Sequence, residues 1–274
     1  MKCPFCTHFC DLAEGEIGFC RARVNRGGKS EPLKEGAVTS LALDPIEKKP
    51  LYHFHPGSTI LSAGGFGCNL RCFFCQNADI SMVGGDEAFT EIIPPERLVQ
   101  MALDLRPQKN IGVAFTYNEP MITFEYIGKT ALLNRQQGLK TVVVTNGCFT
   151  PAALNPVKEL VDAWNIDLKG FTEQWYRRLG GDLEMVKRFI VSAHEKAHVE
   201  LTTLIVPGEN DSEQEIRALS EWIFGVSPDI PLHLSRFFPR YHAMDKHETD
   251  RGKMLRLTDI AREKLKYVHT GNML

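Results

Sequence analysis

Three cysteines, Cys68, Cys72 and Cys75, stand at C-x3-C-x2-C spacing directly behind the glycine-rich run Gly64-Gly65-Phe66-Gly67. Soft thiolates this close together select an iron–sulfur cluster, zinc or Cu(I). A cubane cluster has four irons, so three thiolates leave one iron open to a small molecule. Phe74, directly before the last cysteine, adds an aromatic wall beside that open iron. The competing reading is three buried thiols, or a zinc site completed by a distant fourth ligand.

A second set, Cys3, Cys6, Cys10 and Cys20, is spaced C-x2-C-x3-C-x9-C in a Gly- and Pro-containing segment. Four thiolates brought to one point would keep a segment without its own core folded. A structural zinc or a single iron suits that role; an auxiliary iron–sulfur cluster is the next reading, and unligated thiols the third. Cys148 is the unpaired eighth cysteine, and Cys is commonly a small buried hydrophobe. His53 and His55 alternate as a ligand pair would, but alternating histidines in a strand more often pack, so they are not counted as ligands.

The elements that must position these groups follow from pattern. Residues 1–57 form a Cys-rich N-terminal extension and linker, rich in Gly, Pro and charge, and 58–274 form the main domain. There, short apolar runs alternate with amphipathic segments, the pattern of a parallel sheet with crossover helices. Strands are expected at Thr59–Ala63, Gly112–Thr116, Lys140–Thr145, Trp164–Leu168, Val199–Val206 and Pro231–Leu234. Helices are expected from Pro95, over Ile122–Gln136, Leu183–Lys196 and Arg251–Leu265, and after a capping box at Ser212 and Glu215. Six strand–helix units predict an α/β fold, a partial (β/α)6 TIM-like barrel, with its active site at the strands' C-terminal ends. The cysteine loop lies just past such an end.

The other strand ends offer candidate partners. Tyr117-Asn118-Glu119 follows the second strand and places a carboxylate where it could meet an ammonium group; an ordinary turn is the alternative. Asn146 sits in Thr145-Asn146-Gly147, where glycine permits close backbone approach. Period two puts Asp167 and Lys169 on one side, able to hold ribose hydroxyls and a carboxylate, or to form a rim salt bridge. The chain has 274 residues and a formal charge of −2, which gives no electrostatic reason for nucleic acid or an anionic membrane as partner. No run approaches a membrane span, and eight cysteines without an export signal point to a reducing cytoplasm.

The run Cys68–Cys75, continuing into Gln76-Asn77, resembles the radical S-adenosylmethionine (radical SAM) signature. With Asp44–Phe54, Tyr117-Asn118-Glu119-Pro120, Thr145-Asn146-Gly147, Asp167-Leu168-Lys169 and Val206-Pro207-Gly208 in order, the chain is similar to the pyruvate formate-lyase activating enzyme branch. More closely, it resembles AmmeMemoRadiSam-type proteins. The resemblance implies a radical SAM barrel and a [4Fe-4S] cluster on Cys68, Cys72 and Cys75, with S-adenosylmethionine chelated at the open iron. It also implies cleavage to a 5′-deoxyadenosyl radical, and an electron donor such as flavodoxin or ferredoxin.

By that resemblance Phe74, Tyr117, Asn118, Glu119, Asn146, Asp167 and Lys169 would contact the cofactor. Two departures stand out. Formate-lyase activases have an acidic residue where Val144 lies, and an arginine where Thr202 aligns. His233 or Arg236, expected at the sixth strand's end, are candidates to replace those charges. Related proteins often run past Gly271-Asn272 into another cysteine pair, whereas this chain stops at Leu274, as a short form or a cut chain. The expected function is a radical SAM oxidoreductase acting on a small molecule, peptide or protein. The alternatives are a glycyl-radical-enzyme activase and, more remotely, a non-enzymatic metal-binding scaffold.

Overall fold

The computed structural model describes residues 1–273; the chain's end at Leu274 lies outside them. Eight strands form one sheet, in sequence order across it: β1 (Ser40–Pro45), β2 (Thr59–Gly64), β3 (Asn110–Phe115), β4 (Lys140–Thr145), β5 (Ala163–Asp167), β6 (His198–Ile205), β7 (Leu232–Arg236) and β8 (Val268–Gly271). β2 to β8 run parallel, and β1 is antiparallel to β2. The crossovers carry α1 (Pro95–Asp104), α2 (Phe124–Gln136), α3 (Glu173–Leu179), α4 (Leu183–His194), α5 (Glu213–Val226) and α6 (Arg251–Arg262). Among the described residues the edge strands β1 and β8 do not pair with each other, which makes the barrel partial.

Local sequence accounts for most of this. β4, Lys-Thr-Val-Val-Val-Thr, is β-branched almost throughout and lies between two parallel neighbours. Pro95 opens α1, and Leu98, Val99 and Ala102 form its buried stripe. α5 starts where expected, with Ser212 Oγ accepting from the Glu215 amide. The capping box is not reciprocal, because the Glu215 carboxylate accepts from the Phe171 amide at 2.6 Å instead.

Three features differ from the sequence expectation. The extension does not reach residue 57, since β1 is hydrogen-bonded into the main sheet. An eighth strand, Val268–Gly271, and the short helix α3 were not expected. β7 begins one residue later and ends two residues later than Pro231–Leu234, a shift that relocates His233.

Candidate active site

The cysteine loop leaves the C-terminal end of β2 and is tied down by three asparagines. Asn118 Oδ1 accepts from the Gly65 amide at 2.9 Å, and its Nδ2 donates to the carbonyls of Phe66 and Gly67. Asn69, fully buried, donates to Cys148 O at 3.0 Å and accepts from Asn146 Nδ2 at 2.8 Å. Asn77 Nδ2 donates to Tyr117 O at 2.7 Å. The loop is therefore fixed against the ends of β3 and β4.

The thiols lie in one another's field. Burial pushes Cys68 well up, with Glu119 and Cys72 adding to it; burial pushes Cys72 to about 11 against the pull of Lys169. The Leu70 amide donates to Cys68 Sγ at 3.3 Å, and Asn146 Nδ2 reaches it at 3.8 Å. The amide donors and Lys169 favour the thiolates against the larger effect of burial, and a cationic iron–sulfur core would tip that balance to thiolate, so the set fits such a cluster. Among the described residues no three His, Cys, Asp or Glu side chains already stand as a metal shell.

The structure brings Phe74, Glu119, Asn146, Asp167 and Lys169 to this mouth. Phe74 stacks on Trp175, with ring centroids 5.7 Å apart and planes 9° apart. Glu119 is only 2% exposed; it accepts from the Met121 amide (3.0 Å), Thr145 Oγ1 (2.7 Å) and the Asn146 amide (2.7 Å). Burial pushes Glu119 up to about 7, against those donors, with Asp167 adding negative potential. Oε2 carries a single protein donor and keeps acceptor capacity. Asp167 and Lys169 form a salt bridge of 2.8 Å. Burial opposes the Lys169 charge, but Asp167, Cys72 and Cys68 outweigh it and raise its pKa.

Tyr117 differs from its motif neighbours. Its backbone is left-handed (φ 73), a conformation costing a bulky residue about 1–3 kcal/mol. That turn sends the ring over Gly64, where a Cβ would meet it at 2.8 Å. Its hydroxyl donates to Asp44 Oδ2 at 2.7 Å, and Lys49 lies 2.7 Å from the same oxygen and 4.6 Å from the ring. Asp44 and Lys49 lie in the Asp44–Phe54 motif, whose side-chain role only the fold revealed.

Two candidates lie elsewhere. His233 is the second residue of β7, at the barrel's opposite end, with Nε2 2.6 Å from Glu200 Oε2. Arg236 does reach the mouth end, but its guanidinium donates to Thr249 O (2.7 Å) and Glu248 (3.2 Å) and so holds a loop. Thr202, where activases carry arginine, pairs with Asn165 at 3.0 Å. Trp175, Asn69 and Asn77 were missed by sequence reasoning; Asn69 and Asn77 lay in or beside the motif but bear no chemistry of their own.

A cysteine loop at the mouth of a partial (β/α) barrel marks a class of enzymes that handle bound iron–sulfur clusters. A profile of the Radical SAM superfamily matches residues 64–220, and the chain belongs to that superfamily. It is an enzyme, and the family implies a [4Fe-4S] cluster and S-adenosylmethionine. An uncharacterized protein of Methanocaldococcus jannaschii is 36% identical over 277 residues, covering 100% of this chain and 81% of its own. Pyruvate formate-lyase-activating enzyme of Clostridium pasteurianum is 27% identical over 58% of this chain and 67% of its own. Among solved structures, Streptococcus suis SuiB bound to S-adenosylmethionine shares the fold with a TM-score of 0.61 at 13% identity, over 78% of this chain and 52% of its own. No helix among the described residues is long and apolar enough to cross a membrane.

Proposed function

We propose that Cys68, Cys72 and Cys75 hold the [4Fe-4S] cluster and that the enzyme acts on a small molecule or on a peptide or protein side chain. When bound, the cluster supplies one electron to S-adenosylmethionine, giving methionine and a 5′-deoxyadenosyl radical that takes a hydrogen atom from the substrate. Glu119 receives the methionyl ammonium through its remaining acceptor site, Asp167 and Lys169 meet ribose and carboxylate, and Asn146 keeps Cys68 and Glu119 in register. The observation carrying this reading is the direct coupling of the cysteine loop to Glu119 through Asn146. Below the loop, Tyr117, Asp44 and Lys49 form a polar wall that supports a substrate with its own polar anchors. The same reading extends to a second metal, zinc or iron, on Cys3, Cys6, Cys10 and Cys20.

Glycyl-radical activation is a second reading, supported by the likeness to formate-lyase activating enzymes. Anaerobic reconstitution with iron and sulfide, followed by assay for 5′-deoxyadenosine, tests both. Replacing any one of Cys68, Cys72 and Cys75 by serine should abolish cleavage. Wild-type rates surviving all three substitutions would remove the central claim. A glycyl-radical EPR signal on an added partner enzyme would select the second reading.

A further inference from the structure

We infer that the metal on Cys3, Cys6, Cys10 and Cys20 acts as a clamp that positions the catalytic cysteine loop, with Arg71, His8 and Phe19 as the positioning residues. The inference rests on the reading of Cys68, Cys72 and Cys75 as cluster ligands.

The N-terminal thiols are free, with Cys3, Cys6 and Cys20 buried and Cys10 half-buried, and among the described residues they do not already stand as a metal shell. Cys6 lies in the field of Cys3, Cys10 and Cys20. The Phe19 amide donates to Cys10 Sγ at 3.4 Å, and Cys3 Sγ lies 3.3 Å from Ser30 Oγ. Four thiols gathered in one short segment supply the donor set of a structural zinc or iron site. The module has little else to hold it: Leu12, Ala22 and Val24 are its fully buried aliphatics before residue 30. An antiparallel hairpin, Arg23–Arg26 with Lys29–Pro32, closes it.

Residues flanking these ligands touch the catalytic loop directly. Gly67, the residue before Cys68, has φ +80, and a Cβ there would sit 2.4 Å from the carbonyl oxygen of Cys20. Arg71, inside the C-x3-C spacing, donates to the carbonyls of Cys68 (2.7 Å), Leu70 (2.9 Å) and Phe19. Its guanidinium lies 4.0 Å from the Phe19 ring centroid. His8 stacks on the other partner of this layer, Phe19, at 3.8 Å, and its Nε2 lies 2.7 Å from Asn69 O. On the β4 side, Thr150 takes two further bonds, its amide to Phe5 O (3.0 Å) and its hydroxyl to Pro4 O (2.7 Å).

Pro4 and Phe5 lie between two ligands, His8 lies two residues after Cys6, and Phe19 is next to Cys20. Losing the metal frees these backbone positions together, and the catalytic loop loses the Arg71–Phe19 and His8–Asn69 contacts. Side-chain partners one shell out from a metal ligand typically change metal affinity or activity by about 10- to 100-fold, the range expected for Arg71→Ala.

The test compares four reconstituted variants with the wild type by metal analysis and by EPR of the reduced cluster with and without S-adenosylmethionine. The Cys68/Cys72/Cys75→Ala protein should retain about one zinc or iron per chain; loss of that metal overturns the second site. Cys6→Ser/Cys20→Ser should lose that metal and bind the catalytic cluster and S-adenosylmethionine at least 10-fold more weakly. Arg71→Ala should keep the N-terminal metal yet weaken the cofactor-induced EPR change, with Arg71→Lys intermediate because an ammonium keeps the charge but lacks the planar fork that spans the carbonyls and lies over Phe19. If the Cys variants misfold by circular dichroism, Arg71→Ala decides alone. A full-strength cluster and unchanged cofactor shift in Arg71→Ala overturn the clamp. Wild-type protein that keeps the N-terminal metal but builds no cluster overturns instead the radical SAM reading on which the clamp depends.

Discussion

Glu119 at the mouth of the barrel and Glu200 at its base are both buried, and the two behave in opposite ways. At the mouth, Glu119 is held by two amides and a hydroxyl in the field of Asp167, and burial pushes it up to about 7. At the base, Glu200 is fully buried, yet its carboxyl falls to about 2. Burial resists that fall, but the imidazoles of His198 (2.9 Å) and His233 (2.6 Å) and the amides of Tyr52 (3.1 Å) and His53 (2.7 Å) outweigh it. Burial alone therefore decides neither carboxyl. Glu200 has both carboxylate oxygens hydrogen-bonded by two amides and two imidazoles, which is the arrangement of a structural strut. Glu119 has two amides and a hydroxyl as its direct donors, which is the arrangement the proposed ammonium contact needs.

The base also explains how a partial barrel stays closed. Tyr52 packs edge-on to His233 at 4.7 Å, and His53 Nε2 lies 2.8 Å from His269 Nε2 on β8. Residues following the β1 edge thus reach the β8 edge by side chains.

Removing the strut should have the largest effect on stability. Glu200→Ala leaves two imidazoles and two amides without their acceptor and should cost about 3–5 kcal/mol, read by denaturant unfolding. A cost below about 1 kcal/mol would erase the contrast between the two ends. Glu119→Gln should leave a smaller mark on stability but weaken S-adenosylmethionine binding by about 10- to 100-fold, the worth of a charge-assisted hydrogen bond of roughly 1.5–3 kcal/mol. Titrating cofactor into the reconstituted variant and following the cluster spectrum measures it. Unchanged affinity with an intact cluster would make Glu119 a turn residue and leave Asp167 and Lys169 to bind the cofactor.

The pH dependences should have opposite signs. The folded pKa of Glu200 is lowered to about 2, so its stabilisation is present above the ordinary value of 4.5 and is lost as pH falls from there towards 2. The folded pKa of Glu119 is raised to about 7, so stability is favoured below 4.5 and is lost as pH rises towards 7. Binding a cation there requires the carboxylate. The affinity advantage of wild type over Glu119→Gln should shrink by up to about tenfold for each pH unit below 7. An advantage constant from pH 5 to 8 would place the ammonium elsewhere. The smallest effect is expected for Tyr117→Phe, which removes the bond to Asp44 and should cost about 1 kcal/mol by thermal unfolding. A shift in substrate KM without a matching shift in stability would instead make that hydroxyl a substrate contact.

Much of the architecture was legible because its signals are local. The β-branched run 140–145, Pro95 and Ser212 each carry their element on their own residues, and the strand and helix starts agree closely with the structure. The positions of Glu119, Asn146 and Lys169 at the mouth were legible because each lies within four residues of a strand's C-terminal end. His233 was misplaced for a geometric reason. With β7 placed at 231–234 it stands near the mouth, and with β7 at Leu232–Arg236 it stands near the base. A boundary error of two residues spans about 7 Å of strand, enough to move a side chain from one end of a short strand towards the other.

By itself the sequence determined the superfamily, the three-cysteine loop and the alternation of strand and helix, because spacing and periodicity are properties of neighbouring residues. Only the tertiary structure decided which carboxyl is pushed up and which is pulled down. It alone set Arg71 against Phe19, His8 against Asn69, and Tyr117 against Asp44, contacts across 52, 61 and 73 residues of chain. Such pairings leave no periodic trace in the sequence. They exist because strand order and crossovers bring distant loops to one end of the sheet, where burial strengthens every charge and hydrogen bond they make.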